Sequence, residues 1–274
     1  AATRLAAQQR QRGGVQLGRG GGQHLAAAMG RAALPVGDDA ARDLGVEMPA
    51  EEVPLLQKEL IQKANSLGIP IITATQMLDS MASSPRPTRA EVSDVANAIL
   101  DGTDAVMLSN ETAVGDFPVE AVQTMATIAR RIEKDYPERS IDSHLPSTIP
   151  NALSGAVSTI ASQLNAAAII PLTKTGATAH NVSKFRPAAP ILAVTPDQSV
   201  ACRLQLVWGV TPLVVPEEKH TTATFNSAMR KAKDLKILKV GDLVVQTAGT
   251  HSGVSGSTDL VKVGIVSSDD SNFF

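Results

Sequence analysis

The sequence contains a single cysteine, Cys202, so no intrachain disulfide can form. A chain without disulfides is expected in a reducing compartment, and the cytoplasm is the predicted location. No apolar run approaches the roughly 20 residues that a membrane-spanning helix needs, so no membrane partner is expected.

Aromatic residues and net charge are also scarce. Aromatic side chains make up 3% of the 274 residues, against 43% for all hydrophobic residues, so we expect a core of Ala, Val, Ile and Leu. Such a core is typical of helices that pack on parallel strands. The net charge of −2 argues against a nucleic-acid partner. The length is that of one or two globular domains.

The first 37 residues contain no acidic residue and no serine, but five arginines and two glycine clusters. An arginine-rich, acid-poor start makes plastid import the alternative to a cytoplasmic location, although transit peptides are also rich in serine. Residues 1–40 show neither a helical nor a strand period, and we expect them to be irregular. Whether residues 1–37 are biological or come from a frame error or a fragment boundary is left open; the missing initial methionine agrees with the second interpretation.

Two short apolar runs in the next part of the chain each end in polar residues. Residues 69–72 form a buried-strand run that is followed by Thr75, and residues 105–108 form another that is followed by Ser109 and Glu111. The loops after parallel strands gather at one rim of a sheet or barrel. We therefore expect these three polar side chains to converge on a ligand.

The expected elements of this part are helices at 49–67, 89–100 and 119–134 and strands at 70–73 and 105–108. They make at most three βα units, whereas a closed (β/α)8 barrel takes eight units and typically about 250 residues. Residues 41–136 are therefore predicted to be part of a barrel. Residues 137–150 contain three prolines among polar residues, which predicts a linker.

Helices and strands alternate regularly in the second half of the chain. The expected helices are at 154–164, 177–185, 198–208 and 222–235, and the expected strands at 167–171, 190–195, 211–215, 242–247 and 260–266. This order predicts that residues 151–274 form a three-layer α/β domain with a mainly parallel five-stranded sheet.

Three motifs in the first part resemble pyruvate kinase, and they occur in that family's order. They read ATQMLDSM at 74–81, PRPTRAEVSDVANAILDG at 85–102 and MLSNETAVGDFPVEAV at 107–122. Upstream, ARDLGVE at 41–47 resembles the family's ARGDLGxE loop with one glycine missing. The resemblance implies phosphoryl transfer from phosphoenolpyruvate to ADP, giving pyruvate and ATP in glycolysis, with Mg²⁺ or Mn²⁺ and K⁺ as cofactors.

The resemblance also implies roles for single residues, each with a simpler structural alternative. Asp43 matches the family's metal-binding aspartate, in a loop that also receives the substrate carboxylate; it could instead be a helix N-cap. Thr75 matches a threonine at the substrate, and helix capping is its alternative. Ser109 and Glu111 match the pair that orders water beside the carbon to be protonated, although capping a loop is the commoner role of such residues.

Arg89 matches a residue at the subunit interface of the family's homotetramer. The alternative is an exposed ion pair with Glu91, which would contribute less than about 1 kcal/mol.

The second half of the chain contains a candidate anion site. Polar residues and a glycine follow the strand at 167–171 and begin a helix, where N–H groups, hydroxyls and an ammonium group meet; they are Thr173, Lys174, Thr175, Gly176 and Thr178. The resemblance implies a loop that binds a sugar-phosphate or nucleotide effector. Residues 253–258, with Gly253 and Gly256, resemble the segment that closes over it. A capped helix and a glycine turn are the alternatives.

Some parts of the family's active site have no counterpart in these 274 residues. In the family, the phosphoryl-binding lysine, a second metal-binding glutamate, the potassium site and the lid domain precede the aspartate loop. Without that lysine the transition-state charge is unopposed, so we expect the polypeptide alone to be inactive. The alternative function is a non-catalytic sugar-phosphate-binding or oligomerisation module.

Overall fold

A computed structural model describes residues 51–74, 76–135, 148–249 and 258–268. The chain divides into two compact units, and the boundary lies between Pro137 and Glu138. The predicted site residues Asp43, Thr75, Gly253 and Gly256 lie outside the described residues, as does the segment 1–40. Among the described residues, no helix has both the length and the hydropathy required to cross a membrane.

The first unit contains short strands between helices. Its helices are α1 (Val53–Leu67), α2 (Arg89–Asp101), α3 (Asn110–Ala113) and α4 (Pro118–Ile132), its strands are β1 (Ile72–Thr73) and β2 (Ala105–Val106), and 3-10 turns occupy Asp79–Ala82 and Glu133–Asp135. The strands pair in parallel, with Ile72 opposite Ala105. Both carboxyl ends therefore lie at the same edge, as in a barrel.

The ends of α2 follow directly from the sequence. At its start the Thr88 hydroxyl accepts a hydrogen bond from the Glu91 N–H, and the Glu91 carboxylate accepts one from the Thr88 N–H, which together form a capping box. At its end Gly102 adopts a φ of 100°, which glycine reaches without steric cost. Between these caps, Val95 and Ala98 pack against Leu78 and Met81 in one buried cluster.

Several elements of the first unit differ from the expectation. The strands expected at 70–73 and 105–108 are limited to Ile72–Thr73 and Ala105–Val106. The predicted helix at 49–67 begins only at Val53, with Pro54 in its first turn, where a missing N–H is tolerated. Residues 110–113, expected within a loop, form the short helix α3. One helical turn is too short to show a hydrophobic period, so the sequence pattern gives no signal for it.

The second unit is built on a five-stranded sheet. Its helices are α5 (Ile149–Gln163), α6 (Ala177–Ser183), α7 (Gln198–Leu204) and α8 (Thr221–Asp234), and its strands are β3 (Ala168–Pro171), β4 (Ile191–Thr195), β5 (Val210–Val214), β6 (Leu243–Gly249) and β7 (Thr258–Ile265). The strand order is β5-β4-β3-β6-β7, and every neighbouring pair is parallel except the antiparallel β6 and β7.

Each face of this sheet carries its own core. One core includes Phe225 and Met229 of α8, and the other includes Val157 of α5 and Val182 of α6. Strands β3 and β4 are buried along their whole length, as expected for strands covered on both faces. The predicted three-layer α/β domain with a mainly parallel sheet is therefore confirmed.

The first helix of this unit begins earlier than expected. It starts at Ile149 rather than at residue 154, so the last two residues of the predicted linker are helical. Pro150 lies inside this helix, because proline is tolerated in the first helical turn. The Thr148 hydroxyl caps the helix by accepting a hydrogen bond from the Asn151 N–H at 3.4 Å.

Candidate functional site

Glu111 is a buried carboxylate at the edge where β1 and β2 end. Its side chain is 1% exposed, in the first turn of α3. Its Oε1 accepts a hydrogen bond from the Leu78 N–H at 3.1 Å, and its Oε2 accepts one from the Ser109 N–H at 2.7 Å. The burial of a carboxyl group is costly unless such partners are present. These two N–H groups therefore hold the carboxylate in one orientation.

Ser109 occupies the turn between β2 and α3. Its backbone (φ −117°, ψ −97°) is neither helical nor extended, and its hydroxyl does not cap α3. Within the described ranges, the Ser109 Oγ forms no hydrogen bond, and the side chain is partly exposed. The hydroxyl thus remains available to a ligand or to water, two residues from a fixed carboxylate.

The structure brings Ser109 and Glu111 together with the segment that follows β1, through Leu78. Gln76 in that segment has a φ of 52°, a conformation that non-glycine residues rarely adopt and that costs about 1–3 kcal/mol. Thr75, which precedes it, lies outside the described residues, so its predicted place at the substrate stays a prediction.

Gly115 allows α3 to lie against the 3-10 turn at Asp79–Ala82. A Cβ atom at Gly115 would lie 2.7 Å from the Glu111 carbonyl oxygen and 3.0 Å from the Ala82 Cα. The next residue, Asp116, donates from its N–H to the Ala82 carbonyl at 2.8 Å. Only glycine leaves room for this close approach.

The Glu91 carboxylate binds Ser80 and Thr88 rather than Arg89. It accepts hydrogen bonds from the Ser80 N–H at 2.7 Å, the Ser80 hydroxyl at 2.6 Å and the Thr88 N–H at 2.7 Å. Partial burial raises the pKa of Glu91, but the hydrogen bonds from Ser80 and Thr88 outweigh it and lower the pKa below 4.5. Arg89 is exposed, and among the described residues no ion pair joins it to Glu91.

The second candidate site lies where β3 ends. The Gly176 N–H donates to the Thr173 hydroxyl at 2.9 Å, and Gly176 adopts a φ of 97° directly before α6. A Cβ atom there would also approach Leu204 to 3.3 Å. The residues 173–176, which include Thr175, therefore form a tight turn that only glycine can complete.

Two further contacts join this turn and the start of α6 to other elements. The Lys174 Nζ pairs with the Glu217 carboxylate, which follows β5, at 2.8 Å, and each side chain is about half exposed. The hydroxyls of Thr178 and Thr258 are 3.2 Å apart, and both residues are buried. The sequence reasoning missed Glu217; its signal was an acidic residue just after a predicted strand, at the edge where the lysine lies.

No cluster of three or more His, Cys, Asp or Glu side chains suited to a metal ion occurs within residues 51–74, 76–135, 148–249 and 258–268. The predicted metal ligand, Asp43, lies outside these ranges.

Two family models match the chain. The model of the pyruvate kinase barrel domain matches residues 39–122, and the model of the pyruvate kinase alpha/beta domain matches residues 151–264. Together the matches cover more than half of the chain, and they include the turn at Glu111 and the turn at Gly176.

Several relatives share this similarity. Pyruvate kinase 2 of Synechocystis sp. is 66% identical over 224 residues, which is 82% of this chain and 38% of the relative. The pyruvate kinase of Geobacillus stearothermophilus is 54% identical over 229 residues, 82% of this chain and 39% of the relative. That of Clostridium acetobutylicum is 48% identical over 231 residues, 82% of this chain and 48% of the relative.

The chain spans less than half the length of these relatives. Within that span, two different domains of one enzyme are matched in order, and identity reaches 66%. On this evidence the chain belongs to the pyruvate kinase family.

Proposed function

We propose that this chain supplies one wall of an active site that transfers the phosphoryl group of phosphoenolpyruvate to ADP, giving pyruvate and ATP. The observation that carries the proposal is the buried carboxylate of Glu111, held from both sides by the N–H groups of Leu78 and Ser109. A fully buried carboxylate is uncommon unless it has a chemical or structural task.

The geometry suits the second half of the reaction, in which the enolate left by phosphoryl transfer takes a proton at its methylene carbon. Ser109 presents a hydroxyl that can donate to and accept from an ordered water. Glu111 is fixed two residues away, so the hydroxyl and the carboxylate can order that water beside the carbon. Thr75 is proposed to contact the substrate on the same rim.

The cations are assigned by the family alone. When bound, Mg²⁺ or Mn²⁺ would neutralise charge on the transferring phosphoryl group, with K⁺ as a second cation. Asp43 is the proposed ligand of the divalent ion.

The 274 residues alone are expected to be inactive. They contain no counterpart of the family's phosphoryl-binding lysine, and the loss of one electrostatic contact to a transition state commonly costs about 3–4 kcal/mol. A lactate dehydrogenase-coupled assay with Mg²⁺ and K⁺ tests this expectation. Turnover at the level of an intact relative would overturn it.

A chimera tests the function itself. The part of the Synechocystis relative that precedes the match is joined to this chain from residue 41 onward. Activity should return, and Glu111→Gln should reduce kcat by about 100-fold or more. Glu120→Gln, an exposed change on α4, is the matched control. An inactive but folded chimera, or equal activity of the Glu111 and Glu120 variants, would count against the proposal.

We further propose that the second unit binds a phosphorylated effector, either a sugar phosphate or a nucleotide. Lys174 supplies a half-exposed positive charge at the edge of the sheet, and the buried hydroxyls of Thr173 and Thr178 hold the glycine turn and the start of α6 in place behind it. The same site favours the alternative function, a non-catalytic binding module. The second unit has a complete sheet with a core on each face, so it has the structure of a domain that could bind a ligand without the first unit.

Calorimetry of the whole chain with hexose monophosphates, hexose bisphosphates and nucleoside monophosphates tests this site. Binding should weaken about tenfold in Lys174→Met, because the turn loses its only positively charged side chain. Binding should be unchanged in Lys239→Met, which alters an exposed lysine elsewhere. No heat of binding from a folded chain would remove this proposal without affecting the catalytic one.

The family also leads us to propose a cytoplasmic homotetramer with Arg89 at a subunit interface. Arg89 is exposed at the start of α2, where another subunit could reach it. Sedimentation of wild type and Arg89→Ala tests this placement. A tetramer that is equally stable in both would contradict it.

A further inference from the structure

Two carboxylates from different helices hold the same short stretch of backbone. The Leu78 N–H donates to Glu111, and two residues later the Ser80 N–H donates to Glu91. Both residues lie in or directly before the 3-10 turn at Asp79–Ala82. The position of this turn is therefore determined jointly by α2 and by α3.

Glu91 has hydrogen bonds beyond those required for a capping box. A capping box needs only the exchange between Thr88 and Glu91. Here Glu91 also receives the N–H and the hydroxyl of Ser80, at 2.7 and 2.6 Å. Bonds from N–H and O–H groups to an ionised carboxylate are among the stronger hydrogen bonds in proteins, so the link to Ser80 is a substantial restraint on the turn.

The same turn fixes the orientation of Glu111. Leu78 is fully buried, and its N–H is one of the two donors to the Glu111 carboxylate. If the turn moves, the distance from the Leu78 N–H to Oε1 changes, and the carboxylate rotates about its side-chain bonds towards Ser109 alone. The restraint on Ser80 is therefore transmitted to Glu111 through two residues of backbone.

From this geometry we infer that Glu91 is a positioning residue for the candidate active site: it holds Ser80, and thereby orients Glu111 through the Leu78 N–H. The catalytic meaning of this inference rests on the proposed function of Glu111, whereas the mechanical link does not. Glu91 itself is not expected to touch the substrate.

The test is NMR spectroscopy of the whole 274-residue chain, with Glu91→Gln compared to Thr88→Ala. Thr88→Ala removes the capping hydroxyl, together with the hydrogen bond that this hydroxyl donates to the Glu91 carboxylate at 2.9 Å, but leaves both Ser80 bonds. Glu91→Gln replaces one carboxylate oxygen by an NH2 group, which cannot accept a hydrogen bond. The variant therefore loses either the Ser80 N–H bond at Oε1 or the bonds from the Ser80 hydroxyl and Thr88 at Oε2. Glu91→Gln should therefore shift the Leu78 and Ser109 amide signals and the Glu111 side-chain carboxyl ¹³C signal, and should speed hydrogen exchange at Leu78 roughly tenfold. Thr88→Ala should alter only α2.

Two further variants complete the design. Ser80→Ala removes one of the two Ser80 bonds and should shift the same signals by a smaller amount, which keeps the test valid if Glu91→Gln does not fold. Asp94→Asn, an exposed change on α2, should shift none of them. If Glu91→Gln and Thr88→Ala give the same pattern, or if the Glu111 signal stays in place, Glu91 only caps the helix and the inference is wrong. None of these readouts requires catalysis. The link from Glu91 to Glu111 can therefore be disproved while the proposed function stands, and the proposed function can be disproved while the link stands.

Discussion

The side-chain amide of Asn65 donates a hydrogen bond to the carbonyl oxygen of Gly102 at 3.0 Å, and Asn65 is buried. This contact joins the last turn of α1 to the residue that ends α2. Because Gly102 also leads into β2, the contact helps to set the position of the strand that precedes Ser109.

Asn65→Ala is expected to destabilise the first unit by about 1–3 kcal/mol, since a buried carbonyl loses a donor. The free energy of opening can be measured from amide hydrogen exchange in α1 and α2. Asn97→Ala, an exposed change on α2, should alter it by less than about 0.5 kcal/mol. Equal effects of the two changes would show that the buried contact contributes nothing.

Gly115→Ala should destabilise the first unit by about 1–3 kcal/mol, because the added Cβ atom would lie 2.7 Å from the Glu111 carbonyl oxygen. The Leu78 and Ser109 amide signals should also shift as α3 moves away. Val114→Ala, at a side chain that is 79% exposed, is the control and should be close to neutral. An unchanged stability in Gly115→Ala would mean that α3 can move at no cost.

Glu217→Gln should strengthen phosphate binding at the second candidate site by up to about fivefold. Lys174 and Glu217 are each about half exposed, and breaking an exposed ion pair costs less than about 1 kcal/mol. The gain should shrink as salt is added, because the pair is screened. Calorimetry with inorganic phosphate measures it, with Glu218→Gln as the neighbouring control. Weaker binding in Glu217→Gln would indicate that the glutamate assists the ligand.

The first unit should lose stability as the pH falls below about 4.5. The folded-state pKa of Glu91 is lowered, so its carboxylate stabilises the fold above the ordinary value of 4.5, and this stabilisation disappears as the pH falls through the folded pKa. Hydrogen exchange of α2 amides between pH 6 and 3.5, corrected for intrinsic exchange, follows the loss. Glu91→Gln should flatten this dependence; an identical pH profile in both proteins would rule out Glu91 as its source.

The architecture of the second unit could be predicted because its strands are short, mainly apolar runs that alternate with helices. Strands β3 and β4 are buried at every position, which is the pattern that a doubly covered parallel sheet requires. The start of α5 could not be placed as well, because a proline in a first helical turn and a proline in a linker look alike in a sequence.

The partners of the site residues were less accessible to sequence reasoning. The sequence offers Arg89, two residues away, as a partner for Glu91, whereas the carboxylate binds Ser80, 11 positions earlier in the chain. Lys174 and Glu217 meet only because β3 and β5 flank β4 in the sheet. Such contacts depend on the path of the backbone, which residue types and spacing do not specify.

The pairing of β6 with β7 ties the edge of the sheet to the second candidate site. Thr258, the first residue of β7, is the partner of Gly249 at the end of β6. Its hydroxyl lies 3.2 Å from the hydroxyl of Thr178 in the first turn of α6. The start of this edge strand and the start of α6 are therefore mechanically coupled, so that a displacement of either one is passed to the other.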